Sequence, residues 1–558
     1  MTKNLINQLG EWNPQLFREV KGRLKSRNGA LALAVSVFSQ LLLVFAFVEK
    51  LPGRGILRHR YCTGGVEAKS YYVEYQCLMD AFGNPDINWQ LWWTDIFIWM
   101  STIGIFTLLI VGTYMLISDL DREERCGTLN FIRLSPQSTQ SILTGKLLGV
   151  PIWLYVATIG AMPLHLWSGV AAQVPLSLIL TFYGVAFASC VFFYSAALLF
   201  GLVSSWMGGF QAWLASGMLL FFLTGTTAMR ILENPMDLLN LLSPSTLLAY
   251  LVPDQFAEDV GIFGYSAETL LSHLHDWRWF HLPIGSNEVT TAGFMVLNYG
   301  LWTIWIWQAL NRRFRNPNST TLSKTHSYWL VGGLEVLMVG FAPLYGSHND
   351  FSESLSLLLL GNLWLFASLI AALSPGRQVC IDWARYRHQS GVHRQHFWQD
   401  LMWGEKSPAV AAIALNLIEA NLILLPWVIL YQNSDSKMAA IAYLLLSISM
   451  LMLYASIAQL MLLMKTQKPG LWAASTIGAA ICLPPFMLAV LSISPGENHL
   501  LWMFTAFPWA AFKYASAMTV VVSFVGQLGV AGMLNWQLTR QLRLAGSSAS
   551  KALIAGRQ

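Results

Sequence analysis

Long apolar runs separated by short polar stretches dominate this chain. Crossing ~30 Å of hydrocarbon takes ~20 apolar residues in a helix, and only helices or closed barrels satisfy the backbone there. Runs of that length recur near 29–49, 92–117, 147–167, 174–203, 207–227, 290–311, 327–345, 353–374, 409–431, 438–464, 470–492 and 510–535. The pattern predicts an all-α polytopic membrane protein of about twelve spans. Charge inside the runs is scarce. Glu335 in the seventh and Glu419 in the ninth are the intramembrane polar candidates, because an ionisable side chain at that depth marks function by default.

Composition agrees with the pattern. Of 558 residues, 55% are hydrophobic and only 11% charged, against roughly 25% charged in soluble proteins. The first 28 residues are polar, so the first apolar run reads as a retained span rather than a signal peptide.

The connections alternate in charge. Arg18, Lys21, Arg23, Lys25 and Arg27 precede the first span, Arg312, Arg313, Arg315 and Lys324 follow the sixth, and Arg540 and Arg543 follow the twelfth. The 228–289 connection is rich in Asp and Glu. By the positive-inside rule both termini are expected in the cytosol and the acidic connection outside. The expected location is the plasma (inner) membrane. Cys62 and Cys77 share a connection on the outer side, where a disulfide persists. Spacing leaves open whether they are bonded or two free thiols.

The chain also repeats itself. Trp307-Gln308 with Arg312 and Arg313 at the end of the sixth span parallels Trp536-Gln537 with Arg540 and Arg543 at the end of the twelfth. The 242–250 stretch parallels 506–514, and Ser135-Pro136 before the third span parallels Ser407-Pro408 before the ninth. Serine as N-cap with proline at the first helical position is a good helix start. Trp and Arg ending a span explain the first match alone, but not all three in one order. The expected organisation is therefore a cytosolic amphipathic helix (1–28), a first six-span half (29–316), a linker (317–326), a second, divergent six-span half (327–544) and a cytosolic tail (545–558).

Two polar segments carry more than connection. Over 13–27, Leu16, Phe17, Val20 and Leu24 share one helical face, the pattern of a helix lying on a membrane. Between spans two and three, the charge cluster 119–125 leads through Gly127-Thr128 into Leu129, Phe131, Ile132 and Leu134, and closes on Gly145-Lys146. Apolar side chains outside the bilayer must pack on the spans or on a partner.

This segment resembles the coupling region of type-2-class ATP-binding-cassette (ABC) exporter permeases. The pattern runs Arg-Glu, a spacer, Gly-Thr-Leu, an apolar stretch, Ser/Thr-Pro and a later Gly-Lys. Arg122, Glu123, Glu124, Gly127, Thr128, Leu129, Ser135, Pro136, Gly145 and Lys146 match it. The 311–328 stretch is also similar to permease-like proteins of cyanobacteria. The resemblance implies a separate ABC ATPase subunit that contacts Glu123, Glu124, Gly127, Thr128, Leu129 and Phe131. It covers residues 1–316. The second half lacks Gly-Thr-Leu and carries a basic loop with His388, His393 and His396 instead. No Cys or acidic ligand completes a metal set there, so no metal is expected.

The chain has no phosphate-binding Gly-x-x-x-x-Gly-Lys-Ser/Thr loop and no Gly-x-Ser-x-Gly or His-Glu-x-x-His motif. It is not expected to be an enzyme, to need a cofactor or to bind nucleic acid. The resemblance implies the permease subunit of an ABC-type export system, moving a substrate across the bilayer with a partner's ATP hydrolysis. The alternatives are a gradient-driven secondary transporter, since six-plus-six parallel halves also occur there, and a non-transporting scaffold.

Overall fold

The computed structural model describes residues 10–69, 72–345, 347–389, 397–432, 437–511 and 514–546. They are mostly helical and divide into two compact units, Met1–Arg315 and Asn316–Gln558. Among the described residues, ten helices are long and apolar enough to cross a membrane.

In the first unit, α1 (Pro14–Arg23) precedes α2 (Ser26–Val48). A 49–88 connection follows, carrying an antiparallel sheet of β1 (Arg58–His59), β2 (Val66–Lys69) and β3 (Tyr72–Gln76) in the order β1-β3-β2. Cys62 and Cys77 are disulfide-bonded, with Cα atoms 4.9 Å apart. Next, α3 (Trp89–Phe106), a π turn (Thr107–Val111) and α4 (Gly112–Arg125) form one unbroken rod. The charge cluster 119–125 is thus the end of a spanning helix rather than part of a loop.

Gly127, with φ +71°, turns the chain into α5 (Thr128–Arg133), and α6 (Thr139–Gly149) returns it towards α7 (Ile152–Ala171). Here the expected helix start is corrected. Ser138, not Ser135, caps α6, its side chain accepting from the Ser141 N–H at 3.1 Å. The third apolar run, expected from 147, begins its spanning helix only after Pro151, because proline lacks the donor that would continue α6.

Then come α8 (Leu176–Val203), α9 (Phe210–Thr227), α10 (Asp237–Leu241), β4 (Gly261–Ile262), β5 (Tyr265–Ser266), α11 (Ala267–His275) and α12 (Glu288–Arg315). The 18-residue α9 is not among the ten. The acidic 228–287 connection is not a free loop. Its 3₁₀ helix Pro244–Leu251 is buried against α3, α8 and α9, and Tyr75 donates to Asp259 at 2.6 Å, joining it to the 49–88 connection. Hydroxyls complete the packing: Thr226 and Thr227 donate to Ser243 and Ser245, each at 2.8 Å.

The second unit comprises α13 (Lys324–Gly340), α14 (His348–Leu373), α15 (Arg377–Gln389), α16 (Phe397–Trp403), α17 (Val410–Leu430), α18 (Lys437–Leu462), α19 (Pro469–Val490), α20 (His499–Met503) and α21 (Ala517–Gly546). At 17 residues, α13 is again shorter than its run and is not one of the ten. Its core gathers Val331, Phe366, Leu369, Ile413, Leu417, Tyr454 and Ala455. Ala409 occupies the N-cap of α17, so Ser407-Pro408 is not its first turn either.

Candidate functional site

The segment from Asp119 to Gly149 separates into a buried base and an exposed tip. The buried positions along α4 include Leu116, Leu120 and Glu123, a stripe three and four residues apart. Glu123 therefore faces inward while its neighbour Glu124 faces out. Leu129 and Ile132 of α5 sink into a core with Leu143, Leu198 and Phe314. Phe131 and Leu134, on the other side of the same turn, are 78% and 86% exposed. Thr128 is exposed, and its hydroxyl donates to the Glu123 carbonyl at 3.2 Å. Of the six expected contact residues, Glu124, Gly127, Thr128 and Phe131 lie on the exposed tip, and Glu123 and Leu129 belong to the base.

The base is organised by Lys146, which is fully buried. Its Nζ lies 2.7 Å from Asp119 Oδ2, 2.8 Å from Glu123 Oε2 and 3.4 Å from Glu19 Oε1. Arg18 pairs with Glu123, and Arg23 pairs with Asp119 and Glu19. Three cations thus meet three carboxylates drawn from α1, α4 and α6. Burial alone would push the Lys146 ammonium down, but Asp119, Glu19 and Glu123 outweigh it and hold its pKa above the usual lysine value. The three carboxylates approach one another closely enough to hold a metal ion. The cation among them is the Lys146 ammonium.

Glycine permits this cluster. A Cβ on Gly145 would lie 2.7 Å from the Leu16 nitrogen, and one on Gly149 would lie 2.5 Å from Glu19 Cβ. The two small residues, one turn apart, let α1 sit directly on α6. Asn13 fastens the contact, capping α1 by accepting from the Leu16 N–H at 3.0 Å and donating to the Ser141 carbonyl at 2.8 Å. The apolar face of α1 is accordingly shared. Leu16 and Val20 are buried against α6, and Leu24 stays exposed.

The second unit has a buried lysine of another kind. Lys324, in the first turn of α13 and ahead of its apolar run, donates to Ser407 Oγ at 2.6 Å, the Leu401 carbonyl at 2.7 Å and the Pro408 carbonyl at 3.2 Å. Burial lowers its pKa to about 8, only partly opposed by Asp400 and Cys380. Ser407 also donates to the Asp400 and Gly404 carbonyls at 2.7 and 2.9 Å, so this Ser-Pro pair anchors a turn. His388 belongs to α15, and His393 and His396 lie outside the described residues.

The intramembrane candidates both fall in this unit. Glu335 is fully buried on α13 beside Asn362 of α14. Glu419 of α17 borders an open groove of about 530 Å³ with Tyr328 and Leu415. Its Oε1 lies 2.7 Å from where a Cβ on Gly332 would sit, one turn before Glu335.

The sequence placed Lys146 in a pattern without giving it a role, counted Asp119 in a charge cluster and Lys324 among the basic residues that orient the chain, and gave Glu19 no role. A usable signal existed for Asp119 and Glu123: spaced i, i+4 on one helix, they flank the apolar stripe through Leu116 and Leu120. No protein family, no characterised protein and no solved structure matches the chain.

Proposed function

We propose that the chain is the permease subunit of an ABC-type export system, driven by a separate ATPase that docks on α5. The observation that carries this reading is the division of one short helix. Leu129 and Ile132 anchor α5 in the core, and Phe131 and Leu134 stand exposed beside Glu124. Two large apolar side chains at a helical tip outside the spans fit a partner's surface. The tip lies within the Arg-Glu, Gly-Thr-Leu, Ser-Pro, Gly-Lys pattern resembling the coupling region of such permeases.

In this reading the 207–227 and 327–345 runs, seated on α9 and α13, bring the ten apolar helices to twelve in two six-span halves. Both termini are cytosolic, and the chain sits in the plasma (inner) membrane. ATP-driven closure of the partner pushes on α5. The Lys146 cluster passes that push to α1, α4 and α6 as one body, a rigid-body switching mechanism. The chain has no ATPase motif of its own, and the transported substrate is unassigned.

The test is a mild-detergent pull-down of the tagged chain with mass spectrometry and an ATPase assay on the eluate. A co-purifying ABC ATPase that is lost with Phe131→Asp/Leu134→Asp supports the reading. Both side chains are exposed, so the double variant should still fold and insert. Absence of any ATPase, or a complex indifferent to that variant, overturns it. Glu123→Lys is a poorer probe, because it would break the buried cluster as well.

One observation favours a gradient-driven carrier as the second reading. Glu335 and Glu419 are two carboxyls within apolar helices, Glu419 lying beside Gly332 one turn from Glu335, the kind of group that carries protons or cations. Substrate movement that follows a proton or sodium gradient and survives loss of every ATPase would establish it.

A further inference from the structure

The first unit holds a cavity of about 420 Å³ between α3, α7 and α8, closed at one end by Leu147 of α6. Consecutive spans usually pack together, yet α7 lies against α2 and α3 and barely touches α8. The gap between α7 and α8 is this cavity. Its lining along α7 runs from Tyr155 to His165, a length of ~15 Å at the helical rise.

We infer that this cavity binds the acyl chain of a bilayer phospholipid, entering sideways between α7 and α8. Three observations carry the assignment. First, no Asp, Glu, Lys or Arg lines the cavity, and its surface is almost wholly apolar. Second, its polar side chains are already engaged with one another or with backbone. Ser101 and Tyr183 bracket the His165 ring at 2.8 and 2.7 Å. Tyr155 donates to the Leu147 carbonyl at 2.9 Å, and Tyr194 to the Leu108 carbonyl at 2.7 Å. A polar ligand would find no spare donor among these hydroxyls and the imidazole, and its own acceptors would lose their hydrogen bonds on entering. A hydrocarbon chain loses none. Third, Ile159 and Phe187 line the cavity while being 64% and 71% exposed. Its mouth therefore opens midway along two helices that are long and apolar enough to span the bilayer, where the surrounding medium is hydrocarbon. The volume falls within the range of small-ligand pockets, roughly 300–1,000 Å³. The inference rests on the membrane reading and is independent of any ATPase.

The experiment uses the full chain in phosphatidylcholine bilayers containing a trace of phosphatidylcholine with a diazirine on one acyl chain. After irradiation, adducts are mapped by mass spectrometry. Expected adducts concentrate on Tyr155, Met162 and Tyr183, well above those on Trp167 and Leu180, which are exposed on the same two helices outside the cavity. Ala186→Trp with Ala161→Phe should cut the cavity adducts about tenfold, since a filled cavity excludes the chain outright, and leave Trp167 and Leu180 labelling unchanged. Should the filled variant fail to fold, the wild-type distribution still decides. Equal labelling inside and outside the cavity overturns the proposal. So does labelling of the lining by a diazirine-bearing free fatty acid but not by the phospholipid, which would mark a site for a single-chain amphiphile.

Discussion

The two units each bury a lysine, and they neutralise it in opposite ways. Lys146 is surrounded by three carboxylates from two helices, α1 and α4, and keeps its charge more firmly than a free lysine. Lys324 is held by neutral oxygens, two of them backbone carbonyls, and gives up its proton near pH 8. A buried charge among opposite charges fixes several elements into one arrangement, because removing any member strands the others. A buried ammonium among dipoles braces a single turn and can be neutralised where it stands. The first arrangement suits a base that must move as one body. The second suits a fixed corner.

The largest expected effect tests that contrast directly. Lys146→Met should destabilise the full chain by about 3–5 kcal/mol, the usual cost of an uncompensated buried charge, read from thermal unfolding in detergent. Adding Asp119→Asn should recover part of the loss. A loss that the second substitution deepens would mean that packing rather than charge balance matters there.

The pH dependence sharpens the contrast. With Lys324 titrating near pH 8 when folded and near 10.4 when unfolded, the unfolded chain holds more protons between those values, so stability rises by about 2–3 kcal/mol across that window. Lys324→Met should flatten the rise. Lys146 is shifted the other way, so its contribution is complete below the unfolded lysine value and is lost only as pH climbs through its raised folded value. Lys146→Met should therefore leave the rise between pH 8 and 10 in place.

Smaller effects probe the geometry beneath the cluster. Gly145→Ala drives a methyl against the Leu16 nitrogen and should cost about 1–3 kcal/mol, as overpacking does. Gly127→Ala meets no neighbour, but its left-handed backbone should cost about 1–2 kcal/mol. If Gly145→Ala cost nothing in unfolding experiments, α1 would not be seated on α6 as described.

The sequence made the spans legible because apolar length is a one-dimensional signal. Ten of the expected runs appear as helices of spanning length and apolarity. It was less informative about α9 and α13, where helix ends depend on the packing of the flanking turns. The burial of Pro244–Leu251 was hidden for a similar reason. Its apolar residues match any hydrophobic stretch, and only the spans around it reveal its depth. At the candidate site, Glu123 and Glu124 are adjacent acids in the same motif, yet helical phase sends one to Lys146 and the other to solvent. Glu19 was illegible because Lys146, the partner that draws it into the cluster, lies 127 positions away, brought close by a contact that Gly145 and Gly149 allow.

The unbroken helix from Trp89 to Arg125 has a mechanical consequence. With 37 residues it is ~55 Å long, with its far end tied to the 49–88 connection through Asp95, which Arg60 and Tyr61 hold at 2.8 and 2.6 Å. A beam without a joint cannot absorb displacement along its axis. Tilt applied beside Asp119 must arrive beside Asp95 as an opposite swing, unless the π turn at Thr107–Val111 yields first. The fulcrum of that lever is set by the helices gripping its middle, and one of them, α8, forms a wall of the lipid-facing cavity.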